Sequence, residues 1–339
     1  MKVCFAFLLL AVTAVIAYPT NDQEEDPEWV MIPDVEGNFY PVSMEEVRFE
    51  AALANRGKTK AKFLVYTRQD KTKAHEIVLN DAASVKNSHF DAKHPTRFVI
   101  HGWNGDSNAN INTLLRAAYL DRGEYNVIVV DWSSGAKTIN YIAARNNVNE
   151  AGEQVAAMVD FLHEKHGLSF DTTYIIGHSL GAHVSGMAGK HVKHGRIHAI
   201  FGLDPAFPLF SINKPNERLA TGDALYVESI HTNGGKLGFE QPIGDSSFYP
   251  NWGKKQPGCG VDLTGSCSHG RSVEYFAESL RGKNEFLGKD CGSFDEIKEK
   301  KCVSRGAAED MGGDPAHTGI RGVYYVPVHD KYPFATGKA

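Results

Sequence analysis

Hydrophobic residues fall along this chain in short, dense runs separated by amphipathic stretches. The runs are Phe63–Tyr66, Arg97–Ile100, Val127–Val130, Thr173–Ile176, Ile197–Leu203 and Leu225–Ile230, rich in β-branched and aromatic residues. They are apolar at consecutive positions, the mark of strands covered on both faces. Helical stretches are predicted over 108–122, 148–166, 180–193 and 271–281. In the second of these Val155, Met158, Val159 and Leu162 recur at helical spacing. Strands and helices in alternation predict an α/β fold with a mostly parallel central sheet and helices on both faces. Val323–Val328 reads as a last strand.

The first fifty residues break the pattern. Lys2 precedes an apolar stretch, Val3–Ala17, that is too short for a bilayer and ends in small residues, so residues 1–17 are expected to be a signal peptide. Residues 18–55 open with an acidic, irregular stretch and are expected to be a surface arm or pro-segment. Residues 56–339 are expected to form a single domain. No transmembrane segment is expected, and the product should be secreted and extracellular.

Charge narrows the function classes. A net charge of -5 offers no basic face for nucleic acid. Without the first seventeen residues four cysteines remain, Cys259, Cys267, Cys291 and Cys302. Their spacing matches no common zinc pattern, and an exported chain favours disulfides. Three pairings are formally possible; Cys259–Cys267 with Cys291–Cys302 closes the shortest loops.

Chemistry gathers where the strands end, as expected beyond the carboxyl edge of a parallel sheet. The strand at Thr173–Ile176 runs into Gly177-His178-Ser179-Leu180-Gly181 and then a helix. This is a strand–turn–helix G-x-S-x-G elbow, in which flanking side chains would strike backbone, hence Gly177 and Gly181. Ser179 is the candidate nucleophile. An acid is expected later in the chain, and Ile197–Leu203 delivers Asp204; Asp131, which also ends a strand, precedes the serine. The base is the least determined member, with 15 histidines present. His269, beside Cys267 on a loop before a helix, and His231, at the end of Leu225–Ile230, both qualify. His101-Gly102-Trp103 ends another strand, and the N–H groups of Trp103 and Leu180 could face a developing oxyanion. Trp103 also reads as a packed aromatic, and the two roles are compatible.

Taken in order, Arg97–Trp103, Val130-Asp131-Trp132, Gly177–Gly189, Gly202–Ala206, Ser229–Thr232, Phe248–Asn251 and Cys267-Ser268-His269 resemble the animal pancreatic-type lipase family, in particular its insect digestive branch. The resemblance runs from about residue 60 to 330 and implies an α/β-hydrolase fold. It implies Ser179, Asp204 and His269 as a catalytic triad, Trp103 and Leu180 as the oxyanion hole, and a glycerolipid ester as substrate. A digestive member would act in a gut lumen. It also implies a lid between Cys259 and Cys267, yet only Gly260–Ser266 separates them, too few residues for an amphipathic helix. That trimming resembles the phospholipase A1 branch, with triacylglycerol hydrolysis as the alternative. The family's calcium pattern, Glu-x-x-Arg-x-Asp-x-x-Asp, reads Pro215–Asp223 here without two of its carboxylates, so no metal or other cofactor is expected. No counterpart of the colipase-binding sandwich domain is seen, so colipase is not an expected partner. A catalytically silent storage protein, like fly yolk proteins, is the reading of another class. Trp252 and Leu263 are candidates for apolar contact with a lipid surface.

Overall fold

A computed structural model describes residues 27–53, 59–303 and 305–338. The expected signal peptide and the start of the acidic arm lie outside the described residues. The main sheet has eleven strands among those described. From edge to edge they are Glu309–Asp310, Leu287–Asp290, Gly322–Val326, Ser246–Pro250, Tyr226–Ile230, Ala199–Leu203, Thr173–His178, Thr96–Ile100, Asn126–Asp131, Lys62–Thr67 and Asp70–Ile77. The interior strands, from Gly322–Val326 through Asn126–Asp131, pair parallel throughout. Both margins are antiparallel. This is the α/β architecture that the alternation predicted.

Consecutive strand residues feed opposite faces. Phe98 and Ile100 pack into one core with helices Val148–His166 and Leu180–His191. Val99 packs into the other with helices Asn110–Arg122 and Ser266–Ser279. Two-sided burial is why these runs lack polar alternation. The parallel register sets Ile100 beside Gly177, and Gly177 beside Gly202. The three strands therefore end together and deliver His101, Ser179 and Asp204 to one edge.

Two segments differ from expectation. Residues Trp29–Pro33 and Phe39–Ser43 form an antiparallel hairpin, followed by helix Met44–Leu53. Ile32, Val42 and Val47 are buried in the same core as Trp132 and Leu180. Each strand is five residues long, too short for a period to show. The helix expected over 271–281 begins at Ser266, so His269 lies in its first turns and not on a loop. Asp262 explains the earlier start: its carboxylate accepts the N–H groups of Cys267, at 3.3 Å, and Ser268, at 2.8 Å. Those donors would otherwise be orphans of the helix terminus.

Candidate active site

Ser179 sits between strand Thr173–His178 and helix Leu180–His191 with φ 57° and ψ −124°, a conformation that costs a non-glycine residue on the order of 1–3 kcal/mol. Its neighbours enforce it. A Cβ on Gly177 would lie 2.1 Å from the Gly181 carbonyl oxygen, and one on Gly181 would lie 2.3 Å from that of Ile100. The elbow is tied to the next strand end, because Ser179 N–H donates to Leu203 O at 3.1 Å and Ala206 N–H to Ser179 O at 3.2 Å. His183, one turn further on, bridges the helix to Ala206 O at 2.7 Å and accepts Leu219 N–H at 3.1 Å. Burial pushes its imidazole down to about 3, so it works as a neutral strut.

Asp204 is fully buried. Its Oδ1 accepts the N–H groups of Thr232 at 2.7 Å and Asn233 at 3.0 Å. Its Oδ2 lies 2.5 Å from His269 Nδ1. The carboxylate is thus anchored on one oxygen and presents the other to the imidazole. Gly238 makes room for it, since a Cβ there would stand 2.3 Å from both oxygens. Of the two candidate bases, His269 is therefore the one joined to Asp204. His231 is buried and stacked on Tyr249, with its ring nitrogens bonded to Phe239 O at 2.7 Å and Ser229 Oγ at 2.9 Å. Asp131 accepts Ser133 N–H at 3.0 Å and lies beside His101, a turn role.

His178, the middle residue between Gly177 and Ser179, turns its side chain toward His269. Its ring packs against that of His269, centroids 4.4 Å apart, and its Nε2–H donates to the His269 carbonyl at 3.2 Å. Burial, then repulsion from His269, holds its pKa well below the usual value, which keeps it neutral. The G-x-S-x-G spacing carries no sign of this contact, because the partner is 91 positions away.

The loop after Ile100 is held on both sides. Trp132 N–H donates to His101 Nε2 at 3.2 Å, and Trp132 Nε1–H to His101 O at 2.8 Å. Trp103 Nε1–H donates to Thr138 O at 2.8 Å. A Cβ on Gly102 would lie 2.7 Å from Ser179 Cβ, so only glycine lets the loop approach the serine. Among the described residues neither the Trp103 nor the Leu180 backbone N–H has an acceptor. Two such free donors flanking a serine are the arrangement an oxyanion needs. Ser179, His178, His269, Trp103 and Tyr141 line one cleft of about 360 Å³.

A family model described as Lipase matches residues 36–334. The chain belongs to the lipase family. It is 36% identical over 252 residues to pancreatic lipase-related protein 2 of Cavia porcellus, covering 72% of this chain and 57% of that protein. It is 34% identical to a pancreatic triacylglycerol lipase of Myocastor coypus, covering 74% and 60%. It is 34% identical over 295 residues to a phospholipase A1 of Vespa crabro, covering 82% and 95%. The chain thus spans little more than half of the two pancreatic-type relatives and nearly all of the Vespa protein. Its α/β-hydrolase architecture and family are those the motifs implied.

The chain carries both short-range disulfides, Cys259–Cys267 and Cys291–Cys302. The seven residues between the first pair hold Val261 and Leu263 more than three-quarters exposed. Trp252, in contrast, leaves the rim: it stacks on Tyr325 at 3.8 Å, in a small cluster with Phe294 and Ile297. Its indole is used in packing. The stretch matching the family's calcium pattern does not fit a divalent cation. Of the carboxylates that it would need, Asp223 is ion-paired to Lys190, whose ammonium also donates to Arg218 O at 3.0 Å. Pro215 and Ala220 supply none. Among the described residues no helix is long and apolar enough to cross a membrane.

Proposed function

We propose that this protein is a secreted serine hydrolase of lipid acyl esters, cleaving phospholipids in the manner of a phospholipase A1. In this reading Ser179 Oγ attacks the ester carbonyl while His269 Nε2 takes its proton. Asp204 holds the opposite nitrogen as N–H and stabilises the imidazolium that forms. The N–H groups of Trp103 and Leu180 bind the oxyanion; collapse expels the alcohol, which His269 protonates, and water then releases the fatty acid.

The observation that favours phospholipid is the loop Gly260–Ser266. It has no helix to fold over the cleft in water; its last residue, Ser266, lines the cleft, and Val261 and Leu263 stand exposed to solvent. Neutral glyceride hydrolysis is the second reading, favoured by the similarity to the Myocastor protein. The buried Asp204–His269 pair argues against a storage role, which has no use for an oriented imidazole. Two measurements test the proposal: fatty-acid release from phosphatidylcholine against triolein, and labelling by a fluorophosphonate. Ser179→Ala is expected to lower turnover ~10⁴-fold or more. Undiminished activity in that variant would overturn the assignment, and release from triolein alone would favour the second reading.

A further inference from the structure

We infer that the N-terminal turn Asp34–Gly37 is a fixed wall of the catalytic cleft and selects for lipids without net negative charge. The inference rests on the hydrolase reading above. This turn lines the same cleft as Ser179 and His269, although it lies far before the serine in sequence. It is held in three ways. The hairpin below it buries Ile32 and Val42 in the main core. The turn is closed by Asp34, whose carboxylate accepts Asn38 N–H at 2.8 Å and Asn38 Nδ2–H at 3.1 Å. Its far end abuts the disulfide loop. Gly37 has φ +85°, and a Cβ on it would stand 2.8 Å from Thr264 Cβ.

Turn and loop therefore meet flank to flank, and the turn together with Ser266, the loop's last residue, bounds the cleft. With both Asp34 oxygens engaged, Val35 and Glu36 are the turn side chains left facing solvent at the mouth. Among the described residues the Glu36 carboxylate has no hydrogen bond and no ion pair. A free carboxylate at the mouth of the cleft repels phosphomonoesters and other anionic headgroups that enter there. It acts far less on choline-type zwitterions, whose net charge is zero, and on uncharged glycerides.

The test is hydrolysis of phosphatidylcholine and phosphatidylglycerol vesicles with identical acyl chains, by the wild type, Glu36→Gln and Glu36→Lys. Glu36 is exposed, so both variants should fold. The wild type is expected to favour phosphatidylcholine. Glu36→Gln should narrow the ratio several-fold, chiefly through KM on the anionic lipid, and Glu36→Lys should narrow it further. Both effects should shrink in about 0.5 M salt. A ratio that stays constant across the three proteins overturns the inference while leaving the hydrolase reading intact. If the wild type cleaves neither lipid nor triolein, both fall. Gly37→Ala probes the wall itself: it should raise KM for long-chain lipid more than it lowers kcat on a short soluble ester. Thr264→Gly in the same chain should restore part of the loss. Equal losses on both esters, with no rescue, would also count against the wall.

Discussion

Replacing Asp204 by asparagine separates orientation from every other contribution the site makes. The structure says what the substitution keeps. The amide carbonyl oxygen can take the place of Oδ1 and accept the same Thr232 and Asn233 N–H groups, so the buried position remains filled and bonded. What changes is the group facing His269 Nδ1, now 2.5 Å from a carboxylate oxygen. An amide NH₂ there is a donor. It forces Nδ1 to accept, places the imidazole proton on Nε2, and leaves no base for the serine. Neither charge nor tautomer then supports the transition state. The expected loss in kcat is ~10⁴-fold, equivalent to about 5 kcal/mol of barrier. The assay is hydrolysis of a soluble short-chain ester near neutral pH, free of interfacial effects. A urea melt should show that the variant stays folded. A folded Asp204→Asn protein retaining activity within about tenfold of wild type would refute the reasoning and reopen the identity of the acid.

Further substitutions test other parts of the structure. Gly238→Ala should displace the Asp204 carboxylate, because its Cβ would enter at 2.3 Å. The expected result is a large fall in kcat with a modest change in KM on the soluble ester; unchanged kcat would show that the strand end yields instead. Buried Glu228 has its pKa pushed up to about 8 by burial, against the opposing bonds from Tyr226 and Gly312. A carboxyl raised in the folded state keeps its proton there while the unfolded chain loses it. Its stabilising contribution is therefore whole below the usual carboxylate range and is lost as pH rises through about 8. Urea melts from about pH 5 to 9 should show wild type losing on the order of a few kcal/mol relative to Glu228→Gln; parallel curves would contradict the assignment. Lys190→Ala leaves Asp223 buried without its partner and should cost about 3 kcal/mol in the same melts. Neither calcium nor a chelator should move the wild-type Tm, and a clear calcium-induced rise would reinstate a metal there.

The residues that could be read in advance are those whose reasons are local. Strand Thr173–His178 and helix Leu180–His191 announce themselves because an apolar run, two obligatory glycines and a small-residue helix are contiguous in the chain. Asp204 is legible for the same reason, at the end of Ile197–Leu203. The candidate histidine is different. Strand-end position alone leaves His231 and His269 both open, since neither spacing nor burial of a lone histidine names its partner; family resemblance chose between them, and the Asp204 bond agrees with that choice.

Sequence alone therefore determined the α/β layering, the elbow and the strand end that carries Asp204, because two-sided burial and a forbidden Cβ leave marks at the positions where they act. Tertiary structure decided what depends on groups far apart along the chain. It set the ring of His178 against His269 and gave Asp223 to Lys190. It also brought the N-terminal turn to the rim of the cleft. In each of these cases the deciding partner lies outside the window over which a sequence pattern can be periodic, so only the folded chain brings the two together.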